Sequence, residues 1–410
     1  MMAKRLLLPL LICLLAGVPF LSCLIDGGIF GAGPDVVSTL WGMWWFQQEG
    51  IAAISGVDSE LLNYPYGAKG TILSPSSALL WSAMEPVFGV GPALIFASLM
   101  QIWMLCLGCF LLARRASFEF YACLVAGAIP LVGTYLFFGV GEGSLVAIAA
   151  APMVFGLYAI LQMETEQWRY AFLGAFCMIW MALENPYLAP VLPGLCGCFW
   201  LQRRKGRPMV VLSLLLGSIG ILYIASVFGA SANPDYPREV AGQQVRLLGR
   251  VWDIVELPWA RMSGTEFFWP RSVRWTTDAV TATEAAGGRY LGLSVVLLSL
   301  YAVWKEPKSR PWFGFAVIGL LLSVGSLFHG LAFPFLFLNG VMDSVARPLT
   351  QPTRYLCLSV VGFALCCAYA TSYLQQRNAR APWIIGGVLL MDAFLFGGLS
   401  LNAPITALPK

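Results

Sequence analysis

Charge is what this 410-residue sequence has least of: only 11% of its residues are Asp, Glu, Lys or Arg, while 59% are hydrophobic. A soluble globular protein carries about 25% charged residues. A surface facing water cannot be built from this composition, and a mean hydropathy of +0.75 agrees. The chain reads as an integral membrane protein with many spans. Histidine is nearly absent, with one in the chain, and the cysteines are scattered, so there is no zinc-site pattern. Most of the 11 cysteines fall inside apolar segments, as Cys106, Cys366 and Cys367 do, where they act as small buried hydrophobes rather than disulfide partners. P-loop, dinucleotide fingerprint and Ser/His/Asp spacing are all missing. The run Gly139-Val140-Gly141 lacks the context of a phosphate loop. A net charge of +4 says little about partners, and nothing in the chain points to nucleic acid. Neither an internal repeat nor the inverted repeats of many transporters can be seen.

What is present is a series of apolar runs divided by short basic connections. A spanning helix needs roughly 20 apolar residues, and cytoplasmic loops are rich in Lys and Arg. Residues 6–25, 92–113, 118–138, 144–163, 170–183, 188–202, 209–228, 290–304, 312–328, 355–374 and 383–401 are the candidate spans, about eleven in all. Lys4 and Arg5 place the N-terminus inside, and the connections holding Arg114–Arg115, Arg169, Arg203–Arg207, Lys305–Arg310 and Arg377–Arg380 then all fall inside too. The C-terminus is expected outside. A cleaved signal peptide is the other reading of the first run, with Phe20-Leu21-Ser22-Cys23 resembling a lipoprotein box; the long apolar run and the many later spans favour a retained span.

Two external segments stand out, 26–91 and 230–289. The first holds an aromatic stretch at 38–48 and an apolar but short one at 75–88, both expected as helices on the membrane surface or re-entering it. Trp41, Trp44 and Trp45 are spaced for one helical face, and tryptophan favours the headgroup level.

Asp35 is the foremost candidate for chemistry. It lies in a run with Gly27, Gly28, Gly31 and Gly33, which lets backbone approach a ligand closely. A carboxylate there can act as general base or hold a cation on a phosphate; it can equally be an N-cap for a helix starting near Val36. Glu142 and Glu184 are lone acids at outer span ends, where helix capping is the competing role. Arg347 and Arg354 flank two prolines before a late span. Arginine suits bidentate phosphate contact, against interfacial anchoring by snorkelling.

Three stretches together resemble a known group. Asp35-x5-Trp41-x2-Trp44-Trp45, then Tyr64-Pro65-Tyr66-Gly67 and Leu73-Ser74-Pro75, is similar to the first external loop of bacterial multispanning proteins related to GT-C glycosyltransferases and protein mannosyltransferases. Leu111-Leu112-Ala113-Arg114-Arg115 matches the end of the following span. The segment from Phe333-Pro334 through Arg347-Pro348 to Pro352-Thr353-Arg354-Tyr355 resembles that group's late Arg/Pro segment. The resemblance implies an all-α polytopic GT-C-like fold in the bacterial cytoplasmic membrane. It also implies a polyprenyl-phosphate sugar as donor, and Asp35 as the position of the catalytic acid. Trp41, Trp44, Trp45, Tyr64, Glu142, Arg347 and Arg354 would then contact substrate or lipid, and a divalent cation such as magnesium or manganese would suit the same chemistry. The acceptor is not implied. The alternative is a non-catalytic protein on this fold, such as a lipid-linked glycan carrier, a transporter subunit or an assembly partner.

Overall fold

A computed structural model describes residues 11–26, 29–30, 34–55, 57–59, 68–70, 74–116, 118–141, 149–185, 188–202, 205–230, 290–324, 355–395, 399 and 405–406. The described structure is a helical bundle. Its first helix, α1 (Leu11–Phe20), turns into a short α2 (Leu21–Asp26). The stretch expected to be external follows, with α3 (Pro34–Glu49), α4 (Ala52–Ser55) and α5 (Pro75–Phe88). Both surface helices expected at 38–48 and 75–88 are therefore helical.

The bundle continues with α6 (Val90–Arg115), α7 (Phe120–Ala128), α8 (Tyr135–Gly141), α9 (Ala151–Gln162), α10 (Trp168–Glu184), α11 (Val191–Gln202) and α12 (Arg207–Ala230). After residues 231–289 come α13 (Leu293–Lys305), α14 (Arg310–Val324), α15 (Leu356–Arg377) and α16 (Ala381–Leu395). Within the described residues each candidate span contains helix, though the run at 118–138 is broken. Pro130 sits in a 3-10 turn, Ile129–Leu131, between α7 and α8, because proline cannot continue the hydrogen-bond ladder. Among the described residues, α6 and α15 are long and apolar enough to cross a membrane outright.

Among the described residues, strand structure is confined to two small antiparallel pairs, Ile29–Phe30 with Ile405–Thr406 and Val57–Ser59 with Ala68–Gly70. The first ties the segment after α2 to the end of the chain and puts both on one side of the bundle. That is the relation expected if the two are separated by an even number of spans.

The connections sort themselves in the same way. Arg115 at the end of α6 lies 3.8 Å from Glu164 and donates to the Leu161 carbonyl at 3.2 Å. Gln375 on α15 donates to Glu119, and the Cys366 thiol donates to the Ser309 carbonyl. Apart from the Cys366 thiol, which lies within the 355–374 run, these groups belong to connections, or the span ends beside them, that the basic pattern assigns inside. Cations at that end also lie over rings: Arg169 over Tyr170, Arg207 over Trp200, Lys305 over Trp304 and Arg377 over Tyr373. Basic and aromatic side chains of this kind mark a membrane–water boundary.

The outward faces are apolar. Leu215, Ile219 and Leu222 on α12, and Leu293, Leu297, Leu300 and Trp304 on α13, form exposed stripes at helical spacing. In water such stripes would be an aggregation hazard; in a bilayer they face the solvent they match. Because lipid tails are as apolar as leucine, contact between these helices depends on close packing. On α14, Gly319 lies where an added Cβ would meet the Ser359 hydroxyl oxygen at 2.6 Å and its backbone nitrogen at 2.7 Å. At Gly362 on α15 the added atom would meet the Trp312 carbonyl oxygen at 2.6 Å and Ala316 at 2.7 Å.

This pairing predicts that Gly362→Ala costs about 1–3 kcal/mol, seen as a lower thermal midpoint in detergent. Gly314→Ala on α14 is the control, since nothing lies within 4 Å of the added carbon. Equal midpoints for the two variants would refute the close approach of α14 and α15.

Candidate functional site

The candidate site is built from the stretch 26–91 and the helix ends that receive it. Helix α3 starts at Pro34, two residues earlier than the sequence suggested. Proline is pre-organised for the first helical position, so Asp35 falls in the first turn rather than ahead of it as a cap. A carboxylate there still benefits from the positive end of the helix dipole. Further along α3, Trp45 is fully buried whereas Trp41 and Trp44 keep 41% and 40% of their surface. Trp41 stacks on Trp45, ring centroids 5.9 Å apart and planes 6° from parallel. Trp45 therefore belongs to the core, and only Trp41 and Trp44 present surface to a lipid headgroup or a sugar. Tyr64, Glu142, Arg347, Arg354 and the 231–289 segment lie outside the described residues.

Helix α5 is where the stretch 26–91 joins the bundle, and the joint is polar and buried. Ser74 precedes the helix and Pro75 is its first residue, which gives the Leu73-Ser74-Pro75 motif a local meaning. Ser74 is in the left-handed region, φ 58° and ψ 56°, a conformation that costs a non-glycine residue about 1–3 kcal/mol. It is held there by contacts to the end of α10: its N–H donates to the Leu183 carbonyl and its hydroxyl to the Glu184 carbonyl, each at 3.4 Å. With its hydroxyl so used, Ser74 makes no side-chain cap for α5.

Glu184 takes that role. Its Oε1 accepts the Ser76 N–H at 2.7 Å, and its Oε2 accepts from Gln101 Nε2 at 3.5 Å. The same amide donates to the hydroxyls of Ser76 and Ser77, each at 3.0 Å. Glu184 is wholly buried just past the 170–183 apolar run. Burial pushes its carboxyl up from the ordinary value, while hydrogen bonds from Ser76 act in the opposite sense. The capping role considered for this lone acid is the one it fills, although the helix it caps is distant in sequence.

A second buried acid, Asp392 on α16, escaped the sequence reading. Its Oδ1 accepts the Tyr290 hydroxyl at 2.5 Å and its Oδ2 accepts the Ser294 N–H at 2.9 Å. The Ser294 hydroxyl also donates to it. Tyr290 is in turn held by Thr134, whose N–H donates to the Tyr290 carbonyl at 2.8 Å and whose Oγ1 accepts the Tyr290 N–H at 3.1 Å. The cluster fastens the chain where it returns from residues 231–289. The available signal was a lone acid inside an apolar run, which a membrane span seldom carries without cause.

The described residues contain no group of three or more His, Cys, Asp and Glu side chains placed to hold a metal. A cavity of about 320 Å³ between α1, α7 and α16, lined by Leu15, Tyr121, Leu131, Trp383 and Leu390 among others, is almost wholly apolar. It suits hydrocarbon rather than sugar.

The sequence matches no family description and no curated protein. Solved structures do match. The apo oligosaccharyltransferase of Archaeoglobus fulgidus aligns over 97% of this chain with a TM-score of 0.51 at 13% identity, and the chain spans 55% of that protein's length. The same enzyme tethered to an acceptor peptide with an NVT sequon gives 0.47 at 13% identity, over 97% of this chain and 55% of that one. The arabinofuranosyltransferase AftD from Mycobacteria gives 0.46 at 14% identity, over 98% of this chain and 27% of that one. The fold shared with the archaeal enzyme is the GT-C-like membrane fold that the sequence motifs imply.

Proposed function

We propose that the chain is a GT-C-type glycosyltransferase that moves a sugar from a polyprenyl-phosphate-linked donor to an acceptor on the outer face of the cytoplasmic membrane. The observation that carries the reading is the fold, which aligns with an oligosaccharyltransferase across 97% of the chain. The placement of Asp35 in the first turn of α3, in the stretch that follows α1 and α2, supports it. In this reading Asp35 accepts the proton of an acceptor hydroxyl as that oxygen attacks the anomeric carbon. The bond from that carbon to the phosphate oxygen breaks, and the polyprenyl phosphate leaves with the electron pair. Arg347 and Arg354 hold the phosphate and stabilise the charge that develops on it. Tyr64 and Glu142 contact the substrate, and Trp41 and Trp44 offer rings to sugar or headgroup. A divalent cation, if bound, would add charge neutralisation at the phosphate.

Asp35→Asn tests the base. At the second position of a helix the exchange forfeits a charge–dipole interaction of about 0.3–1 kcal/mol, so folding and insertion should survive. Transfer of labelled sugar from a polyprenyl-phosphate donor should fall by roughly two to four orders of magnitude. Parental activity in the variant would remove Asp35 as base and make Glu142 the next acid to test. A parent protein without transfer from any such donor would favour the non-catalytic reading.

The proposed topology has about eleven spans, with the N-terminus inside and the segments 26–91 and 230–289 and the C-terminus outside. The strand pair between Ile29–Phe30 and Ile405–Thr406 supports it. A reporter that works only outside, fused after Lys410, should be active; activity of a cytoplasmic reporter there instead would overturn the orientation.

A further inference from the structure

We propose that Glu184 is a positioning residue for the external site: it fixes α5, α5 carries α3, and α3 carries Asp35. The inference rests on the reading of Asp35 as base. It starts from the division of labour at the head of α5. The residue that would ordinarily cap this helix, Ser74, has its hydroxyl committed to the Glu184 carbonyl, and the Glu184 carboxylate caps the Ser76 N–H in its place. The carboxylate stands at the C-terminal end of its own helix, where the dipole opposes a negative charge, and at the N-terminal end of α5, where the dipole favours it. Its stabilisation therefore depends on α5 being docked, and the docking of α5 depends on it. Helix α3 packs along α5, and Gln47 Nε2 donates to Glu85 Oε2 at 3.3 Å between them. A clamp 149 positions from Asp35 in sequence, since 184 minus 35 is 149, thus sets the footing of the helix that bears it.

Hydrogen–deuterium exchange on the full chain in nanodiscs tests the clamp without any assumption about activity. Glu184→Ala should speed exchange at least tenfold over 75–88 and 34–49 and leave α15 unchanged. Glu184→Gln keeps an acceptor oxygen for the Ser76 N–H and should restore most of the protection. In the transfer assay Glu184→Ala should lower kcat about a hundredfold, the effect of a small misplacement near the reacting atoms, with the pH profile of the parent retained and with Glu184→Gln close to the parent. Unchanged exchange over 34–49, loosening that extends equally to α15, or a Gln variant as damaged as the Ala variant would each overturn the proposal. If Glu184→Ala does not fold, Gln101→Met, which removes the second donor to the carboxylate, should give the same pattern more weakly, and parental exchange in it would count against the clamp. A parent without transfer sinks the reading of Asp35 and leaves the clamp to be decided by exchange alone.

Discussion

A carboxylate taken out of water must be given hydrogen-bond donors or lose its charge, and a helix that begins without a cap leaves donors unpaired. One end of this bundle uses each problem to solve the other. Glu184, at the end of α10, accepts from the Ser76 N–H in the first turn of α5. Asp392, near the end of α16, accepts from the Ser294 N–H in the first turn of α13. Neither α5 nor α13 has a side-chain cap from its own flanking residue. In both cases an acid from a distant segment caps the helix and fixes where the chain enters the bundle. Both fastened helices adjoin long stretches of chain: α5 lies late in the stretch 26–91, and α13 follows residues 231–289.

The opposite end is built differently. Its connections are short, and its contacts include basic side chains laid over rings, such as Arg207 on Trp200 and Lys305 on Trp304, beside the Arg115–Glu164 pair. These contacts tolerate water and headgroups, whereas the acid–helix joints exclude them. The asymmetry follows from what each end must do. A short connection between adjacent helices needs only an anchor at the boundary. A long external segment has no fixed path back to the bundle unless a specific contact supplies one, and loops placed by a rigid scaffold are where binding groups concentrate.

The bundle was legible in the sequence because its signals are local. Apolar runs mark the helices and basic residues mark alternate connections, and the contact of Arg115 with Glu164 and of Gln375 with Glu119 agrees with that alternation. The break at Pro130 and the early start of α3 at Pro34 are also local effects of proline, but they move boundaries rather than elements. What was not legible depends on pairing. Spacing placed Trp41, Trp44 and Trp45 on one face, yet it could not show that Trp45 would be covered and Trp41 would lie over it. Glu184 was visible as a lone acid, but its partner Ser76 is 108 positions away. Asp392 sits among apolar residues whose hydropathy hides a single charge, and its partners Tyr290 and Ser294 lie beyond the reach of any window.

Burial alone would have nominated Glu184 as the reactive acid, since perturbed, desolvated carboxyls gather at catalytic sites. Its geometry argues otherwise. One oxygen is taken by a backbone N–H and the other faces the Gln101 amide. A general base must reach the proton it removes. For Glu184 to turn toward a substrate it would have to abandon the first turn of α5, and with it the support of α3. Asp392 is bound in the same way by Tyr290 and Ser294. Asp35 is placed differently: its backbone stands in the opening turn of α3, a helix that begins at Pro34. On the proposal that Asp35 is the base, two buried acids fasten helices and proton transfer is left to an acid on the stretch that Glu184 helps to hold.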